Sequence, residues 1–119
     1  LFTVKMPGPA FVGPLPPLTP NQEEIRAQLQ RHVTALAHDI GVRSDKAYAN
    51  VQRAERYIRT QLLRFGYHVE SQEFFAGGRL YHNLEATLPG VPGYAHEVVV
   101  LGAHFDTAEE APGADDNAS

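Results

Sequence analysis

Close to its carboxyl-terminal end the chain carries His104-Phe105-Asp106 and, after a short loop, Gly113-Ala114-Asp115-Asp116-Asn117-Ala118-Ser119. Imidazole and carboxylate are the groups that ligate zinc when thiolate is unavailable, and the sequence has no cysteine. Asp106, Glu109, Glu110, Asp115 and Asp116 place five carboxylates in eleven residues that contain no Lys or Arg. A fold that gathers them must find positive charge elsewhere, and a divalent cation is the simplest source. His104 and Asp106 are two apart, so on an extended chain they share a side. The Asp106 carboxylate can then accept one imidazole N–H while the other nitrogen faces a metal, which fixes tautomer and ring direction. Gly113 and Ala114 let the backbone approach a neighbour closely, and Asp115-Asp116-Asn117 stack polar groups that no apolar core accepts unpaired. Each cluster alone fits a plainer reading, an ordinary hydrogen-bonded histidine at a strand end or a solvated turn ending in a helix cap. Together they predict half of a metal site. A calcium loop ranks last, because the segment lacks the Asp-x-Asp-x-Asp-Gly ladder of an EF-hand.

The elements that must hold these residues follow from periodicity. Glu97 to Ala103 is an unbroken apolar run that predicts an inner strand covered on both faces of a parallel or mixed sheet, with the ligands at its carboxyl end. Thr19-Pro20-Asn21-Gln22 predicts a capped helix start. Ile25, Leu29, Val33, Leu36 and Ile40 continue it as one apolar stripe that Gly41 stops. A second helix is expected from Ser44 or Asp45 to Phe65, burying Tyr48, Val51, Ile58, Leu62 and Phe65, with Gly66 ending it. Residues 67–75 and 79–88 read as strands of an antiparallel hairpin turned at Ala76-Gly77-Gly78. In the second of them Leu80, His82, Leu84, Ala86 and Leu88 share a face, so His82 reads as a half-buried packing residue. His32 and His38, six apart, face different ways and are no metal pair. Six of the nine prolines fall between Pro7 and Pro20, marking residues 1–19 as an extended leader draped over a domain at 20–119. No internal repeat is present.

His104-Phe105-Asp106-Thr107 followed by Pro112-Gly113-Ala114-Asp115-Asp116-Asn117-Ala118-Ser119 closely resembles the zinc-dependent M28 peptidases of the aminopeptidase Y and bacterial leucyl-aminopeptidase type. Leu36-Ala37-His38-Asp39-Ile40-Gly41-Val42-Arg43, Leu62-Leu63-Arg64-Phe65-Gly66-Tyr67 and Tyr81-His82-Asn83-Leu84 are similar to the amino-terminal half of that family. The resemblance implies an α/β chain: part of a three-layer α/β/α, phosphorylase/hydrolase-like zinc-peptidase fold with a mixed sheet, cut after the first metal-binding loop. It implies two Zn2+ per complete site, with His104 a terminal ligand, Asp116 the bridging carboxylate and Asp106 the catalytic-set carboxylate that orients His104. Asp115 and Asn117 would shape the loop, around a cis peptide between Asp116 and Asn117. The family pattern continues with a Glu-Glu pair, an Asp and a His, which Glu109-Glu110 does not replace, since it precedes the bridging Asp. The fragment alone is therefore expected to be inactive, while the intact parent removes amino-terminal residues from peptide substrates through a zinc-activated water. Alternatives are a catalytically silent binding or receptor domain of this fold and a glutaminyl-cyclase-like enzyme.

Composition narrows the remaining classes. With 43% hydrophobic and 20% charged residues and a net charge of −4, the chain reads as one domain or part of one. Mild acidity argues against a nucleic-acid partner, and Arg53, Arg56, Arg59 and Arg64 read as a solvated helix face. Leu1 to Val4 is too short for a span of about 20 residues. The Met-Pro-Gly leader resembles relatives with a hydrophobic segment upstream, which implies a membrane anchor or export, with the domain outside the cytoplasm.

Overall fold

A computed structural model describes residues 12–93, 97–116 and 118. Helix α1 spans Pro20–Val33 and starts where the capping signal lies: the Thr19 side chain accepts from the Gln22 N–H, and the Gln22 side chain accepts from the Thr19 N–H. The chain then widens into a π-helical stretch over Thr34–Ile40, closed by the Gly41 N–H donating to the Leu36 carbonyl at 3.0 Å. Gly41 sits at φ 78, a left-handed conformation that glycine adopts without a Cβ penalty. The predicted helix is thus one continuous element whose last two turns are π rather than α, a form frequent at functional sites.

A short 3-10 turn, Asp45–Ala47, leads into α2, Tyr48–Arg64. Val51 and Ala54 are its buried residues. Ile58 and Leu62 are half-buried, whereas Phe65 lies past the helix end and is 60% exposed, against expectation. The hairpin forms as β1, His68–Ala76, and β2, Arg79–Thr87. Gly77 and Gly78 both have positive φ (57 and 76), the conformation of a two-residue turn matched to strand twist, and Ala76 faces Arg79. The hairpin lies against α2 through aromatic contacts. Tyr81 stacks on Phe74 at 5.7 Å and meets Tyr48 edge-on at 5.3 Å, while the Tyr48 hydroxyl donates to the Leu80 carbonyl.

The core sits where the π-helical stretch and α2 cross. Leu36, Ala54 and Ala118 are buried there, with Ala37, Ile40, Tyr57, Ile58 and Phe105 packed around them. Ala54, fully buried, is the residue that lets the two helical segments approach; periodicity did not single it out because alanine adds little to an apolar stripe. The amino-terminal part of the α1 stripe is not covered: Ile25 is 47% and Leu29 52% exposed. Helical periodicity identifies an apolar face, but another element must reach that face to bury it.

The inner strand expected at 97–103 does not form. The described sheet has two antiparallel strands, β1 and β2, and residues 97–103 carry no strand or helix assignment. Val98, Val99, Val100 and Leu101 are 83%, 94%, 86% and 98% exposed. Apolarity alone does not make a strand; its N–H and C=O groups need a neighbouring strand, and none pairs with this run among the described residues. The leader also departs from expectation: Val12 is 92% and Leu15 80% exposed, so its described part does not drape over the domain. Residues 1–11, with the Leu1–Val4 segment, lie outside the described residues.

An apolar run this exposed favours self-association. In light scattering across a concentration series the wild-type mass should rise, and a Val99→Lys/Leu101→Lys double variant should stay monomeric. A wild-type chain that remains monomeric throughout would contradict this.

Candidate metal centre

Alternation fixes the direction of the first cluster. Phe105 turns inward onto the core, so His104 and Asp106 on either side of it turn outward, with side chains 49% and 69% exposed. Thr107 then turns in again and is 8% exposed. Its N–H donates to the Arg43 carbonyl at 3.0 Å, and its hydroxyl accepts the Arg43 N–H at 2.9 Å, tying the segment to the junction after the π-helical stretch. The second cluster is anchored by Ala118, 4% exposed and part of the same core, two residues beyond Asp116. Apolar pegs therefore hold both charged segments at one place on the surface.

The clusters converge. The His104 Nδ1 lies 3.0 Å from the Asp106 carbonyl oxygen and 3.2 Å from its Oδ1, while Nε2 lies 3.1 Å from Asp116 Oδ1. Nδ1 thus donates to Asp106, and Nε2 is the nitrogen turned toward Asp116. The hydrogen bond to the Asp106 carbonyl, more than the nearby carboxylates of Asp116 and Asp106, raises the His104 pKa above its ordinary value against the effect of desolvation. A nitrogen and an oxygen ligand on one tetrahedral zinc lie about 3.4 Å apart. The 3.1 Å between Nε2 and Oδ1 is within a few tenths of an ångström of that, so this pair fits a shared metal ion that replaces the proton between them. Among the described residues no group of three or more His, Cys, Asp or Glu side chains has metal-binding geometry.

Positive charge reaches the acidic loop in two places. Lys46 pairs with Glu109. Arg43, fully buried, lies close enough to Asp106 for their attraction to offset part of the downward pKa shift that burial imposes on the guanidinium. The motif reading passed over Arg43 as a functional residue, although a carboxylate-rich loop without its own cation was the signal that one must come from elsewhere. Glu110 and Asp115 are exposed. The expected Asp116–Asn117 cis peptide involves Asn117 and lies outside the described residues.

His32, His38 and His82 make their contacts apart from the pair. His32 Nδ1 is 2.8 Å from the Tyr57 hydroxyl, and His38 pairs with its neighbour Asp39. His82 is half-buried and bridges Glu55 of α2, at 2.9 Å, toward Glu73 of β1, at 3.7 Å. Beside His104 and Asp106 opens a cleft of about 540 Å³, walled by Val51, Ile58, Leu62, Phe74 and Tyr81. Its size falls in the range of small-ligand sites.

Residues 83–119 match the sequence model of peptidase family M28, which supports an origin in that peptidase family. The chain is similar to the uncharacterized protein YfbL of Escherichia coli (strain K12), 32% identical over 100 residues that make up 77% of this chain and 30% of that protein. It thus spans about 30% of the length of the curated relative it matches. No solved structure matches.

The contacts of His104 set its titration. In the metal-free protein its imidazole should titrate above 6.5, and Asp116→Asn should move that value down without abolishing the shift, since the Asp106 carbonyl bond remains. Because a raised pKa keeps the proton on to higher pH, metal binding at Nε2 should weaken as pH falls through that raised value. Histidine Hε1 shifts followed by NMR across pH, with and without zinc, check both.

Proposed function

We propose that this chain carries the first metal-binding half of an M28-type zinc aminopeptidase, which removes amino-terminal residues from peptides. The observation that carries the reading is the approach of His104 Nε2 to Asp116 Oδ1 at 3.1 Å, with Nδ1 tied back to Asp106. These residues lie inside the segment that matches the peptidase family. Zinc, when bound, supplies the Lewis-acid chemistry that polarises a carbonyl and makes water a nucleophile near neutral pH.

The chain's own residues have separable tasks. His104 would bind through Nε2 as the neutral imidazole, with Asp106 accepting the Nδ1 proton so that Nε2 stays available. Asp116 offers a carboxylate with two oxygens, enough to serve two ions of a paired site. A zinc ion takes three or four protein ligands, so the rest, and the general base, come from outside the described residues. The apolar cleft next to His104 suits a substrate side chain. On the leader's resemblance, we place the parent protein outside the cytoplasm, exported or anchored in a membrane.

The test is cleavage by the zinc-loaded full-length protein of paired peptides with free and acetylated amino termini, read by mass spectrometry. Stepwise loss of residues from the free-amine peptides only, abolished by chelation and restored by zinc, is the expected result. Asp106→Asn should cost about ten-fold to a hundred-fold in activity or metal affinity, toward the lower end because the backbone carbonyl still accepts from Nδ1. Zinc-loaded protein that binds peptides without cleaving them, or only cyclises amino-terminal glutamine, would overturn the aminopeptidase reading.

A further inference from the structure

The buried guanidinium of Arg43 is the strongest unassigned feature of the molecule. Its side chain donates to five backbone carbonyls: Nε to Phe105 at 2.7 Å; the two Nη1 hydrogens, one of them shared, to Leu36 at 2.7 Å, Gly41 at 3.0 Å and Pro112 at 2.9 Å; and Nη2 to Gly113 at 3.3 Å. Those partners fall into three groups. Leu36 and Gly41 close the π-helical stretch, Phe105 lies between His104 and Asp106, and Pro112 and Gly113 lead into Asp115-Asp116. One rigid, planar group therefore spans the scaffold and both arms of the candidate metal centre. Arginine offers five N–H donors in a fixed fork, which an ammonium, with three donors at one point, cannot reproduce.

The second arm shows the same tolerance for no displacement. Gly113 has φ +60, and a Cβ there would stand 2.6 Å from Thr107 Cγ2, 2.8 Å from the Asp116 carbonyl oxygen and 3.0 Å from Arg43 Nη2. The Gly113 backbone thus lies against the Thr107 side chain of the first arm and against the guanidinium, with no room for a side chain of its own.

We infer that Arg43 is a positioning residue that sets the spacing between His104 and Asp116 by clamping the backbones of both arms to the end of the π-helical stretch. This rests on the metallopeptidase reading for its consequence, metal affinity, while the clamp itself belongs to the metal-free chain. A ligand pair 3.1 Å apart is sensitive to displacement, since small misplacements of reacting or ligating groups cost orders of magnitude.

The test uses Arg43→Lys, the milder Thr107→Val, and a control, Gly78→Val, that strains the remote hairpin turn, where Gly78 has φ 76. Two readouts are taken on the full-length protein, with urea midpoints to compare destabilisation. Amide hydrogen exchange without metal should show residues 105–107 and 113–116 exchanging at least ten-fold faster in Arg43→Lys and a few-fold faster in Thr107→Val, with β1 and β2 unchanged. Co2+ binding, followed by its visible absorption, should weaken at least ten-fold with an altered band shape in Arg43→Lys. Gly78→Val should keep wild-type Co2+ affinity and spectrum despite its lower midpoint, which a merely structural role for Arg43 would not allow. Unchanged exchange in both arms of Arg43→Lys, or equal loss of Co2+ binding in Gly78→Val, would overturn the clamp. Full-length wild-type protein that binds no Co2+ would refute the metal reading instead, and hydrogen exchange would still decide the clamp.

Discussion

Taking a guanidinium out of water costs several kcal/mol unless its hydrogens find partners, and at Arg43 the partners are backbone carbonyls rather than a carboxylate. That choice has two consequences. The bonds fix main chain, not mobile side chains, so three separate segments are held in register at one point. Among the described residues no carboxylate pairs with it directly, and the attraction it feels comes from Asp106, the carboxylate beside His104. Packing and electrostatics of the candidate centre thus share one origin, and the π-helical widening before Gly41 is part of it, since it places the Leu36 and Gly41 carbonyls where the guanidinium can reach both.

Around this clamp the apolar core is small and local. Leu36, Ala54 and Ala118, with Phe105 beside them, pin the surface loops that carry charge. The larger apolar surfaces of the chain, the amino-terminal stripe of α1 and the Val98–Leu101 run, are exposed. Buried contacts are concentrated where His104 and Asp116 are held, and apolar surface is left open on the Val98–Leu101 segment that leads into them.

His104 shows how a weak motif becomes a defined geometry. A histidine two residues from an aspartate is common, yet here the ring is held from both ends, with Nδ1 on the Asp106 backbone and Nε2 facing Asp116. One restraint on the ring is a main-chain oxygen, which substitution of the Asp106 side chain leaves in place. The acidic loop draws on Arg43 and Lys46 before any bound cation.

Local chemistry was readable from the residues alone. Thr19, Gln22, Gly41, Gly66 and the Gly77-Gly78 turn mark element ends because capping and positive φ depend on a few neighbouring atoms. Alternation put His104 and Asp106 on one side, but it pointed to the carboxylate as partner, whereas the Nδ1 hydrogen bond goes to the Asp106 backbone carbonyl. What tertiary structure alone decided was which apolar faces find cover, that the run at 97–103 has no pairing strand among the described residues, that His104 meets Asp116 across the loop, and that Arg43 joins them. Each of these depends on contacts between residues far apart in the chain, for which periodicity carries no information; burial is a property of the partner as much as of the residue.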